Sequence, residues 1–134
     1  MTPIKRLWLV DDDAIFVSLT KKMMGKMNFA GNIEVFENGQ LALEHLRQVS
    51  DDGGDLPQLI FLDLMMPVLD GWGFLDEYIK MAESIRRKIT LYVLSSSASP
   101  QDIKRIKRNR AVRGFITKPM PRAKFTEIVT DNVI

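Results

Sequence analysis

Residues 58–67 read Gln58-Leu59-Ile60-Phe61-Leu62-Asp63-Leu64-Met65-Met66-Pro67. The run over 58–62 is apolar at both parities and too short for a typical helix. It describes a strand buried on both faces, since a strand with one wet face would alternate. A carboxylate, Asp63, stands where the buried run stops. Two more runs are of the same kind. Arg6–Val10 contains Leu7-Trp8-Leu9-Val10 and leads into Asp11-Asp12-Asp13, and 89–94 leads into Ser95-Ser96-Ser97. Two weaker runs, Asn32–Phe36 and 113–117, complete a set of five, the last followed by Lys118-Pro119.

Helical patterns fill the intervals. Residues 14–27 place Ile15, Leu19, Met23 and Met27 four apart, with Phe16 and Val17 beside them and Asp13 as N-cap. Residues 40–49 follow the turn pair Asn38-Gly39 and repeat Leu43, Leu46 and Val49. Residues 72–84 repeat Leu75, Tyr78, Ile79 and Ala82, and 100–109 open with Ser99 as cap and Pro100 in the first helical position. Residues 122–133 bring Phe125, Ile128 and Val129 inward. Strand–helix alternation with short connections implies right-handed βαβ units around a parallel sheet, an α/β doubly wound (βα)5 architecture. The polar stretch 50–57 reads as a connecting loop, and one domain over residues 1–134, with no output domain, is the expectation.

Composition agrees. A chain of 134 residues buries roughly two-thirds of its unfolded surface and needs no covalent staples. Zero cysteines exclude a disulfide scaffold, a thiolate metal site and a cysteine nucleophile, and suit a reducing, cytoplasmic setting. The 46% apolar and 27% charged shares are those of a soluble globule. No apolar run approaches the roughly 20 residues needed to cross a bilayer, and no secretory h-region is legible.

Ligands of open α/β sheets sit outside the carboxyl ends of the strands, at the switch in strand order. At those ends this sequence sets Asp11-Asp12-Asp13, Asp63, Ser95 and Lys118. Clustered carboxylates repel unless compensated, and a hard divalent cation compensates them while keeping positions open for phosphate oxygens. A lysine and a hydroxyl converging there supply donors to a transferred phosphoryl group, with an aspartate as nucleophile. Each residue alone has a plainer role: Asp13 as a cap, Asp63 as a solvated turn residue, Ser95 as a cap, Lys118-Pro119 as a turn. Their concurrence at successive strand ends is what carries the reading.

Over essentially its whole length the sequence resembles the receiver domain of two-component response regulators. The matching segments are Leu9-Val10-Asp11-Asp12-Asp13, Ile60 to Pro67 with Asp70-Gly71, Val93-Leu94-Ser95-Ser96, and Phe115-Ile116-Thr117-Lys118-Pro119. The resemblance implies a flavodoxin-like strand order 2-1-3-4-5 and a Mg2+-dependent phosphoacceptor function. It makes Asp63 the acceptor of a phosphoryl group from a sensor histidine kinase, a histidine phosphotransfer protein or a small donor such as acetyl phosphate. Asp11 and Asp12 then match the acidic pair that holds Mg2+, Asp12 being the firmer ligand, with Asp63 and the backbone carbonyl of Met65 completing the shell. Ser95 matches the hydroxyl switch, Phe115 its aromatic partner, and Lys118 the ion-pairing lysine, with a cis bond before Pro119. The implied role is that of a signalling domain which assists its own phosphorylation and dephosphorylation, rather than an enzyme. Met65 and Ser97 occupy positions that tune dephosphorylation in relatives. Because Met65 offers no polar group to orient water, the expected aspartyl phosphate is longer-lived than in fast chemotaxis-type switches.

Two neighbouring chemistries fail on residues. Haloacid-dehalogenase-type phosphatases need a second aspartate where Met65 stands. A flavin phosphate loop after the first strand would meet three aspartates. His45 and the tryptophans Trp8 and Trp72 read as packing or surface residues.

The net charge of +2 conceals a split. Residues 100–124 hold nine bases against the single acid Asp102, leaving +8 there and −6 elsewhere. In receivers the output surface comprises the fourth helix, fifth strand and fifth helix, which coincide here with this segment. A downstream protein partner is the expected reader, with a phosphorylation-gated nucleic-acid binder using the basic 104–124 segment as the alternative. The lack of a helix-turn-helix and of aromatic interleaving argues against nucleic acid. Receivers often dimerise through that face, although like charge here opposes a simple two-fold pairing.

Overall fold

The computed structural model describes residues 4–51, 54–96 and 98–131. Five parallel strands, β1 (Arg6–Val10), β2 (Asn32–Phe36), β3 (Leu59–Asp63), β4 (Thr90–Ser95) and β5 (Gly114–Thr117), form one sheet in the order β2-β1-β3-β4-β5. The three runs with near-continuous apolar character are the three central strands, as burial from both sides requires. Strand β2, at one edge, is only partly buried.

Alternate residues of each strand feed two separate cores. Trp8, Val10, Ile60, Leu62, Leu91 and Val93 face α2 (Gly39–Asp51), α3 (Gly71–Tyr78) and Ile106 of α5 (Pro100–Arg108). Leu7, Leu9, Leu59, Phe61, Tyr92 and Leu94 face α1 (Ala14–Lys26) and α6 (Arg122–Asp131). The sheet is thus covered on both faces, the doubly wound arrangement that the alternation implies.

Helix starts follow local chemistry. The Asp13 carboxylate accepts the Ile15 and Phe16 N–H groups, and the Asn38 side chain accepts that of Leu41. Asp70 accepts from Gly73, and Ser99 with Asp102 forms a reciprocal capping box ahead of Pro100.

The structure corrects several boundaries. The stripe of Ile15 and Leu19 does not face the core: they are 74% and 62% exposed, while Phe16, Thr20 and Met24 are buried. Burial lies one residue round the helix, where Thr20 interrupts the apolar spacing and hides the true face. The pattern over 72–84 is not one helix. It ends at Tyr78, and a one-turn helix, α4 (Glu83–Arg86), follows. The break lets Met81 and Ile85 pack on the core, whereas continuation would aim at Ile79, which is 44% exposed. Extended Ala82 makes the corner, its carbonyl accepting the Ile85 and Arg86 N–H groups. Helix α2 runs from Gly39 through Asp51, so Ser50 and Asp51 are helical rather than loop. Asp52 and Gly53 of the polar stretch, and 132–133 of the last helical pattern, lie outside the described residues. The strands Leu59–Asp63 and Thr90–Ser95 each sit one residue later than the apolar runs suggest.

Candidate functional site

The order β2-β1-β3 places the topological switch between β1 and β3, where their carboxyl ends diverge. The chain leaving β1 is fixed there by the Asp11 N–H, which donates to the Phe36 carbonyl at 2.9 Å. Asp11 Oδ1 in turn accepts the Asp13 N–H at 2.9 Å. Asp13 therefore has two roles: its side chain caps α1 while its backbone holds Asp11.

Asp63 is the last residue of β3 and is buried, its Oδ1 accepting the Met65 N–H at 3.3 Å. Gly71 packs against the exit from this strand. A Cβ there would lie 2.5 Å from the Asp63 carbonyl oxygen, and the Gly71 N–H donates to the Leu64 carbonyl at 3.0 Å. Close approach of backbone to backbone requires glycine at this point.

Lys118 joins the two strand ends. Its Nζ lies 2.7 Å from Asp11 Oδ2 and 3.3 Å from Asp63 Oδ2. The same ammonium sits 4.4 Å from the centroid of the Phe16 ring, a cation–π contact that fixes its lateral position. The Lys118 N–H donates to the Ser95 carbonyl at 3.1 Å, and the Lys118–Pro119 bond is cis. Ser95 is buried at the end of β4. The register sets Ser95 opposite Thr117 and Phe115 opposite Val93. Ser95 and Phe115 therefore lie diagonally on one sheet face, with Phe115 half-buried against the core.

Carboxylate oxygens of Asp11, Asp12 and Asp63 all lie within 4.8 Å of one another, two of the residues buried and Asp12 exposed. One lysine against three acids leaves the site with excess negative charge. Burial, aided by the Asp63 charge, pushes the Asp11 carboxyl up despite the Lys118 hydrogen bond. Burial alone would lower Lys118, yet the Asp11 hydrogen bond and the two carboxylate charges hold its ammonium above the ordinary lysine value. Three hard oxygen donors with one open side fit a hydrated Mg2+ or a similar cation, which would supply the missing positive charge.

The strand-end residues Asp11, Asp12, Asp63, Ser95 and Lys118 thus come together at the carboxyl end of the sheet. The Met65 side chain is 71% exposed beside them, and Ser97 lies outside the described residues. Phe16 is a site residue that the sequence does not reveal: its spacing is that of a core ring, and nothing in it distinguishes a ring beneath an ammonium from one beneath a leucine. His45 sits against Trp8 and Phe36 with centroids 5.3 and 5.5 Å away, a packing role in agreement with the sequence reading. Trp72 carries the Arg105 guanidinium 4.1 Å from its ring centroid.

The response regulator receiver domain model matches residues 7–130. The probable methanogenesis regulatory protein FilR2 of Methanothrix harundinacea (strain 6Ac) is 34% identical over 112 residues, covering 84% of this chain and 70% of FilR2. Three further curated relatives are much longer than the match, which spans 10%, 39% and 30% of them. A two component response regulator from Cytophaga hutchinsonii shares the fold at TM-score 0.86, with 24% identity and 97% of each chain covered. The Mn(2+)-bound form of response regulator Rcp1 aligns at TM-score 0.72 and 25% identity, over 95% of this chain and 90% of its own. These matches do not favour the nucleic-acid alternative for residues 104–124. On its residues, its topology and these likenesses, the chain belongs to the response regulator receiver domain family and is a receiver domain of two-component signalling.

Proposed function

We propose that Asp63 is the phosphoacceptor of this receiver. The observation that carries the reading is the Lys118 ammonium bridging Asp11 and Asp63 at 2.7 and 3.3 Å, beside the three clustered carboxylates. An Asp63 carboxylate oxygen forms a bond to phosphorus as the phosphorus–nitrogen bond of a donor phosphohistidine breaks. The leaving imidazole keeps the electron pair and takes up a proton. Lys118 stabilises charge on the transferred oxygens, and the buried Ser95 hydroxyl is the group that engages the new phosphate.

Asp11, Asp12, Asp63 and the Met65 carbonyl would hold Mg2+, which supplies charge neutralisation for the in-line transfer. The Mn(2+)-bound form of Rcp1 supports a divalent cation in this family. Ser95 and Phe115, diagonal neighbours on one face, form the two-state element that carries the change to α5, β5 and α6, where a protein partner reads it. The donor is a sensor histidine kinase or a phosphotransfer protein, which places the chain in the cytoplasm and makes it a signalling domain. The apolar Ile15 and Leu19, exposed on the helix that Asp13 caps, offer such a donor a landing face beside the site.

Incubation with acetyl phosphate and Mg2+, followed by intact mass, tests the assignment. The native chain gains the mass of one phosphoryl group and Asp63→Asn does not. A gain that persists in the variant overturns it.

A further inference from the structure

The opposite, amino end of the sheet, where β4 and β5 begin, holds a cavity of about 600 Å3 that the phosphoacceptor site does not use. Four of the chain's nine arginines line it: Arg86 and Arg87 from the turn at α4, and Arg110 and Arg113 from the connection between α5 and β5. No lysine lines it, and Glu83 is its one acid. Among the described residues no carboxylate comes within 4.0 Å of any of the four guanidinium groups. Arg86 is held in place by its Nε–H, which donates to the Met81 carbonyl at 3.0 Å. Ala111 and Val112 contribute an aliphatic wall.

Basic residues at the end of α5, Lys107 and Arg108, are accounted for by the helix macrodipole. Arg110 and Arg113 lie beyond that helix, and Arg86 and Arg87 come from another segment, so the macrodipole of α5 does not account for the cluster. Uncompensated like charge costs stability unless an anion receives it. Guanidinium is the side chain that grips phosphate oxygens two at a time. The volume falls within the range of small-molecule sites, and the concave shape suits a compact polyanion better than a long polymer.

We propose that this cavity binds a small molecule carrying a chain of two or more phosphates, free or as part of a nucleotide. Its place at the amino ends of β4 and β5 separates it from Asp63 at the carboxyl end of β3, so occupancy does not compete with phosphorylation. The charge of 100–124 is legible in the sequence but this pocket is not, because Arg86 and Arg87 lie outside that segment and join it only through the fold.

Isothermal titration with tripolyphosphate and with ATP, both without divalent cations, tests the proposal. Saturable binding of at least one probe is expected, and comparison of the two tells the bare phosphate chain from the nucleotide. Replacing Arg110 and Arg113 together by Gln weakens binding by about tenfold or more. Replacing Lys104 and Lys107 on the exposed side of α5 removes the same charge and leaves affinity within about twofold. All four positions are exposed, so circular dichroism of each variant is expected to match the parent and neither variant is expected to melt below it. Absence of binding overturns the proposal. Equal losses in the two double variants, or tighter binding of a duplex DNA or a polyglutamate peptide, likewise overturn it.

Discussion

At the scale of single residues, Lys118 and Met65 carry the sharpest consequences. Lys118 is the single cation among the described residues that touches both Asp11 and Asp63. Lys118→Met keeps the length of the aliphatic stem but removes the charge, and with it the cation–π contact with Phe16. Loss of one such donor to a developing oxyanion is worth on the order of a hundredfold in rate. Mass-resolved time courses with acetyl phosphate are expected to show that slowing, and an unchanged rate removes Lys118 from the mechanism. Met65 stands at the mouth of the site with its side chain exposed and no polar atom able to order a water. The phosphorylated chain, freed of donor, is expected to outlast fast chemotaxis-type switches, and Met65→Asn is expected to shorten its lifetime. A native lifetime of only seconds contradicts this. Legibility at this scale was uneven. Strand-end acids are readable because a buried apolar run that stops at a carboxylate has one place to put it. The tie from Lys118 to Asp11, by contrast, depends on how far β5 lies from β1 across the sheet, and no spacing in the sequence encodes that distance.

At the scale of elements, α1 shows where apolar periodicity misleads. The stripe Ile15, Leu19, Met23 is regular, yet of the three only Met23 packs on the core, beside the buried Phe16, Thr20 and Met24, and Ile15 and Leu19 are left outside. A helix whose buried stripe contains a threonine looks, in sequence, as though it were rotated by one position. The apolar residues left outside are then available to a partner. Replacing Ile15 and Leu19 by Asp is expected to slow transfer from a cognate phosphohistidine donor by tenfold or more while leaving modification by acetyl phosphate unchanged, since few exposed contacts dominate docking. Equal effects on both donors refute the docking role. The break after α3 was hidden for a related reason. Ile79 and Ala82 continue a helical spacing, but the core beneath is reached by Met81 and Ile85, and the chain turns to place them there. The central strands raised no such ambiguity, because burial on both faces leaves a signal at every residue.

At the scale of the whole molecule, pH and metal both act through linkage to folding. Tyr78 is almost fully buried at the end of α3, stacked on Phe74 at 5.7 Å. Burial holds its phenol well above the ordinary tyrosine value, with nearby Arg86 opposing this only in part. The unfolded chain releases this proton near pH 10 and the native chain does not, so the native state binds more protons above that point. Stability conferred by the buried phenol is intact below pH 10 and falls by about 1.4 kcal/mol per unit above it. Denaturant midpoints at pH 9, 10 and 11 check the slope, which Tyr78→Phe is expected to reduce.

Metal acts in the opposite sense. A site built from the ends of β1 and β3 exists only when those strands are paired, so a cation bound there stabilises the native state alone. At a hundred times its dissociation constant, Mg2+ adds about 2.7 kcal/mol. For a chain of this length that is a rise of roughly 8–10 °C in the melting midpoint. Asp12 is the exposed member of the carboxylate cluster, so Asp12→Asn changes the metal-free midpoint little and flattens the response to Mg2+. Should the native chain melt at one temperature with and without Mg2+, the cluster of Asp11, Asp12 and Asp63 is not a cation site. The excess negative charge between the strands then needs another compensating partner.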